Sequence, residues 1–100
     1  MSVQIINKDN FEQIKASDKP VLIDFYADWC GPCRMMSPVI DEIAEERADI
    51  VVGKVNVDAE PELAAAFGIV SIPSLVVLKG GEVANQVSGA RPKSQVLALL

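Results

Sequence analysis

The run Val21-Leu22-Ile23-Asp24-Phe25-Tyr26 constrains the fold more than any other stretch of this chain. Successive side chains on a strand point to opposite faces, so a strand with one wet face alternates apolar and polar residues. Here both sets are apolar, and Asp24 is the one exception. Such a run reads as a central strand of a parallel sheet covered on both faces, with Pro20 at its permitted opening position. Asp24 shares a face with Leu22 and Tyr26, so it is a candidate buried carboxylate.

The rest of the chain supplies the cover. Val3 to Ile6 is a short apolar strand. Asn7 is placed to cap the next helix, and Asp9 with Glu12 has capping-box spacing. Phe11, Ile14 and Lys15 give a short amphipathic helix ending near Ser17. A long helical pattern follows Cys33, with Met36, Val39, Ile40 and Ile43 on one stripe and Pro38, which should kink it, inside. Ile50 to Val57 is a β-branched strand. Glu60 to Phe67 is a helix with Pro61 in its first turn and Gly68 as its stop. Pro73 to Leu78 and Glu82 to Val87 are two strands joined by Gly80-Gly81, a strong hairpin signal. Pro92 opens a last helix through Leu100. The order β-α-β-α-β-α-β-β-α gives parallel units and a terminal antiparallel hairpin, hence an α/β fold with a mixed sheet and helices on both faces. With 100 residues, one domain spanning 1–100 is expected.

Composition narrows the chemistry. The net charge of −5 argues against nucleic acid or an anionic membrane as a partner. No segment approaches the ~18 apolar residues of a membrane span. Met1 to Lys8 lack a basic region followed by an apolar stretch, so no signal peptide is read, and a cytoplasmic location is expected. The chain has no histidine, which removes every Cys–His or Ser–His pair and every His-containing metal site. Its two cysteines, Cys30 and Cys33, stand in Trp29-Cys30-Gly31-Pro32-Cys33, between the apolar strand and the long helix.

Cys-x-x-Cys in that position reads as a redox motif. Cys30 falls at or just before the helix start, where unpaired N–H groups and the helix dipole favour an anion and so a thiolate. Cys33, one turn on, is close enough for a disulfide and is expected to be more buried and less reactive. Cys30 is then the attacking thiol and Cys33 the resolving one. A structural disulfide closing so short a loop would add little stability. A zinc site would need two further ligands that this chain does not offer, so no metal is expected. Inert core cysteines fit poorly with a helix-start position.

Asp24 to Arg34, Val55-Asn56-Val57-Asp58, Ile72-Pro73, the Gly80-Gly81 hairpin and Gly89 together resemble the thioredoxin family, in order and spacing, along essentially the whole chain. The resemblance implies the thioredoxin fold, a central mixed five-stranded sheet flanked by four helices. It also implies reduction of disulfide-containing protein substrates, with no cofactor beyond the Cys30–Cys33 disulfide, and recycling by thioredoxin reductase. A monomer is expected. The last residues, Leu97 to Leu100, end where family members usually run further. Tyr26 stands where many relatives carry Trp.

The resemblance also implies roles for single residues. Asp24 would lie behind the dithiol and deprotonate Cys33 through a water; burial would raise its pKa toward neutrality. The alternative is a strand-end Asp touching solvent. Lys54 would tune Asp24 by its charge, or be a surface lysine. Pro73 would follow a cis bond and pack against the dithiol, and Ile72 would pair with substrate in strand fashion; spacing alone does not exclude a trans proline. Trp29, with Gly31 and Pro32, would form an apolar contact surface beside Cys30, though Trp29 could be core. Gly89 would let a substrate chain approach, or serve as a turn glycine. Two rival functions are a binding module using the Trp29–Ile72–Gly89 surface, and an oxidase or isomerase in an oxidising compartment, where relatives tend to carry His between the cysteines.

Overall fold

A computed structural model describes residues 3–100; Met1 and Ser2, part of the N-terminal reading above, lie outside them. The elements in chain order are β1 (Gln4–Ile5), α1 (Phe11–Lys15), β2 (Val21–Tyr26), α2 (Gly31–Glu46), β3 (Val51–Asn56), α3 (Pro61–Ala66), β4 (Ser74–Lys79), β5 (Glu82–Ser88) and α4 (Lys93–Leu97). The strands form one sheet in the order β1-β3-β2-β4-β5. Strands β1 and β2 both run parallel to β3, while β4 runs antiparallel to β2 and β5. The apolar run 21–26 therefore does sit at the centre of a mixed sheet, hydrogen-bonded on both edges.

Its two sets of side chains feed two cores. Leu22, on one face, packs with Val52, Leu75 and Val77 of the sheet and with Met36, Ile40 and Ile43 of α2 and Val96 of α4. Val21, Ile23 and Phe25, on the other, pack with Ile14 of α1, with Val55, Val76 and Leu78, and with the half-buried Phe11, Leu63 and Phe67. The Phe67 ring meets Phe11 edge-on at 5.8 Å and Phe25 at 5.5 Å, which fastens α1 and α3 to the sheet. Lys93 of α4 bridges Glu42 and Glu46 of α2 across the opposite layer. Gly80 and Gly81 have φ of +61° and +81°, the left-handed pair that a two-residue hairpin turn demands.

Three expectations about element ends are corrected. No capping box joins Asp9 to Glu12. Instead Asn7 Oδ1 accepts from the N–H groups of Asp9 and Asn10, and Asn10 Oδ1 accepts from the Asn7 N–H, so two asparagines close the turn before α1. Strand β1 pairs over two residues, although the Ile6 N–H still reaches the Lys54 carbonyl at 2.9 Å. Helix α4 stops at Leu97, because the N–H groups of Leu99 and Leu100 bond three residues back, a tighter turn than the α-helix.

Gly53 of β3 sits between Gln4 of β1 and Ile23 of β2 in the register. A Cβ there would meet Cγ1 of the buried Ile6 at 2.8 Å and the Gln4 carbonyl oxygen at 3.2 Å. The better strand propensity of valine does not offset that overlap. Gly53→Val is expected to lower stability by about 1–3 kcal/mol in urea denaturation, the range for overpacking; unchanged stability would show that β1 yields freely.

Candidate functional site

Strand β2 ends at Tyr26, the chain turns through Ala27-Asp28-Trp29, and α2 begins at Gly31 with Cys30 as its N-cap. Cys30 is extended (φ −88°, ψ 112°), the conformation that turns an N-cap side chain back over the first helical turn. Pro32 in that turn has no N–H to leave unpaired. The Cys33 N–H donates to Cys30 Sγ at 3.2 Å, so a sulfur occupies the place where a serine or aspartate oxygen usually caps a helix. The two cysteines are joined in a disulfide with their Cα atoms 5.3 Å apart.

The expected difference in burial is absent: Cys30 and Cys33 are each 4 % exposed, packed with Ala27 and the half-buried Tyr26, Val57 and Ile72. They differ in what they face. Cys30 lines an open groove of about 470 Å³ with Trp29, Gly31, Pro32 and Ile72. Cys33 lines a cavity of about 210 Å³ on the other side, with Asp24, Tyr26, Lys54 and Ser37.

The groove has an apolar floor. Trp29 is 69 % exposed, which excludes a core role, and its indole N–H donates to Asp58 Oδ2 at 2.8 Å. The Ile72–Pro73 bond is cis, and the Ile72 carbonyl oxygen lies 3.9 Å from Cys30 Sγ. Pro73 is buried, and its own carbonyl accepts from the Gly89 N–H at 2.8 Å; Gly89 has φ +97°, a backbone suited to glycine. Neither Pro73 nor Gly89 lines the groove itself. Val57, Ala64 and Ile69 to Ser71 complete the lining; of these the sequence pointed only to Ser71, as a neighbour of the docking surface that the resemblance implies. Val70, 97 % exposed, was the available signal: an apolar residue in the loop between the helix stop at Gly68 and Ile72 has no core to enter.

The cavity is lined by two carboxylates, Asp24 and Asp28, and two cations, Lys54 and Arg34. Asp24 is 3 % exposed, and its Oδ1 has no hydrogen-bond partner. Burial pushes its pKa up to about 7 against the opposing pull of the Lys54 charge. Lys54 is half-buried and makes no ion pair with Asp24; its Nζ lies 5.1 Å over the Tyr26 ring. Arg34, at the mouth, donates to the Asp28 carbonyl oxygen at 2.9 Å. Among the described residues no cluster of three or more His, Cys, Asp or Glu could hold a metal ion, and no helix is long and apolar enough to cross a membrane.

A disulfide between cysteines three positions apart at a helix start, a groove on one side and a buried carboxyl on the other define a thiol–disulfide oxidoreductase. The family model described as Thioredoxin matches residues 2–100. The thioredoxin of Alicyclobacillus acidocaldarius is 54 % identical over 92 residues, covering 91 % of this chain and 88 % of that one. A bifunctional thioredoxin reductase/thioredoxin of Mycobacterium leprae is 41 % identical over 98 residues, 97 % of this chain and 21 % of the longer protein. The crystal structure of Malassezia sympodialis thioredoxin superposes with a TM-score of 0.89 at 39 % identity, over 98 % of this chain and 88 % of that one. The chain belongs to the thioredoxin family.

Because the folded pKa of Asp24 lies above the ordinary 3.8, the folded state holds a proton that the unfolded chain has released. The contribution of Asp24 to stability is therefore full below about pH 4, falls as pH rises, and levels off above about pH 7. Asp24→Asn is expected to stabilise the oxidised protein at pH 8 by up to roughly 4 kcal/mol, the full linkage value. That gain should vanish near pH 4 in parallel urea titrations. A gain equal at both pH values would mean the carboxyl is not held protonated.

Proposed function

We propose that this protein reduces disulfide bonds in other proteins, with residues 1–100 acting as one domain. The observation that carries the reading is the Cys33 amide held on Cys30 Sγ at the start of α2, with the two sulfurs on different sides of the active-site turn. In the reduced state the Cys30 thiolate attacks one sulfur of a substrate disulfide. The substrate S–S bond breaks, one substrate sulfur leaves as a thiolate and takes a proton from bulk water, and a mixed disulfide remains on Cys30. Asp24 accepts the Cys33 proton, through a water. The Cys33 thiolate then attacks Cys30 Sγ, the mixed disulfide breaks, and the second substrate thiol leaves with the proton. Two electrons have passed to the substrate, and the Cys30–Cys33 disulfide has formed.

Lys54 tunes Asp24 by its charge. Trp29, Gly31 and Pro32 supply an apolar contact surface around Cys30 that suits an extended segment flanking a disulfide. The Ile72 backbone, set by Pro73, pairs with that segment in strand fashion, and Gly89 leaves room for it. The sulfur pair holds both electrons, so no other cofactor is invoked. Thioredoxin reductase returns the pair to the dithiol, a reading supported by the relative named for both activities in one chain. The proposed setting is a monomer acting in electron transport in the cytoplasm. The net charge of −5 weighs against nucleic acid and anionic membranes as partners.

The test is dithiothreitol-driven insulin reduction. Cys30→Ser is expected to abolish the protein's acceleration, and Cys33→Ser to accumulate the mixed disulfide with substrate, visible by mass spectrometry. Normal turnover by Cys30→Ser would end this reading.

A further inference from the structure

Asp24 and Lys54 are directly opposed in the parallel β2–β3 register, so their side chains leave the sheet side by side on the α2 face. An ammonium group there is within easy reach of the carboxylate, and an ion pair is the expected arrangement. It does not form, and Asp24 Oδ1 stays buried without a partner. Tyr26 lies two residues beyond Asp24 on the same strand face, and the Lys54 ammonium lies over its ring, 5.1 Å from the centroid. We propose that Tyr26 is a positioning residue whose ring holds the Lys54 ammonium away from Asp24, leaving the carboxyl group unpaired in its cavity.

The proposal rests on the reading of Asp24 as the proton acceptor for Cys33, and adds what keeps the acceptor basic. A buried carboxyl left unpaired holds its proton to higher pH, whereas one paired with a cation releases it earlier. The other charged or titratable groups facing the cavity are Asp28 after β2 and Cys33 and Arg34 of α2. Arg34 is held by the Asp28 carbonyl, and from β4 the residue opposite Asp24 is the apolar Leu75. Lys54 is thus the cation whose placement decides how Asp24 titrates, and burial outweighs its charge where it now stands.

The experiment follows the Asp24 carboxyl by 13C NMR against pH in the oxidised protein. Tyr26→Phe keeps a ring face and should titrate with the parent. In Tyr26→Leu the freed ammonium moves onto Asp24, and the midpoint should fall by about one pH unit, at the low end for a carboxylate gaining a cation. In a Lys54→Met background Tyr26→Leu should cause no further fall. An unchanged or raised midpoint in Tyr26→Leu, or the same fall without Lys54, overturns the proposal. Should Tyr26→Leu not fold, the parent still decides: the Lys54 ε-methylene protons should be shifted upfield by the ring, and random-coil values would overturn it. A fall in midpoint that leaves the pH profile of the Cys33 attack unmoved supports the positioning while refuting Asp24 as acceptor.

Discussion

One backbone amide organises this molecule's chemistry: the Cys33 N–H aimed at Cys30 Sγ from 3.2 Å. Two effects compete at that sulfur once it is reduced. Burial at 4 % exposure favours the neutral thiol. Against it stand the helix terminus, worth about 0.3–2 kcal/mol to an anion, and a hydrogen bond to a charged acceptor, worth about 1.5–3 kcal/mol. Each pKa unit corresponds to about 1.36 kcal/mol, so the amide side can outweigh a moderate desolvation cost. The contact exists because β2 delivers the chain to an extended Cys30 and α2 starts immediately after it. The sheet order that buries β2 is therefore also what aims the amide.

The disulfide separates two unlike environments. On the Cys30 side is an open groove with largely apolar walls. On the Cys33 side is a small cavity with a carboxyl whose proton affinity is poised near neutrality. A dithiol needs both: open access at the sulfur that attacks and a proton acceptor at the sulfur that resolves. Equal burial of the two cysteines fits this division, since direction of exposure distinguishes them and amount does not.

The features legible in the sequence were those set by local pattern. The two-faced apolar run 21–26 announced the central strand, Gly80-Gly81 announced the hairpin, and Asp24 stood out because nothing polar belonged on its face. The resemblance supplied the cis bond before Pro73, which spacing alone left open. What stayed hidden depends on partners distant in sequence or on competing local bonds. The Trp29–Asp58 bond spans 29 positions, and the groove wall at Ala64 and Ile69 needs α3 laid beside the active-site turn. Asn7 could be named as a capping residue, but its exchange of bonds with Asn10, in place of an Asp9–Glu12 box, is settled by the turn's geometry. The position of Lys54 is of the same kind, for the sequence places it on the strand beside Asp24 but does not reveal that its ammonium settles 5.1 Å over the Tyr26 ring.

The most direct measurement is alkylation of the reduced protein with iodoacetamide across pH, with each modified cysteine identified by mass spectrometry. Cys30 should react first, with an ionisation midpoint well below the roughly 8.5 of free cysteine. A midpoint at the free-cysteine value, or faster reaction at Cys33, would contradict the claim that the helix-opening amide holds a thiolate at Cys30.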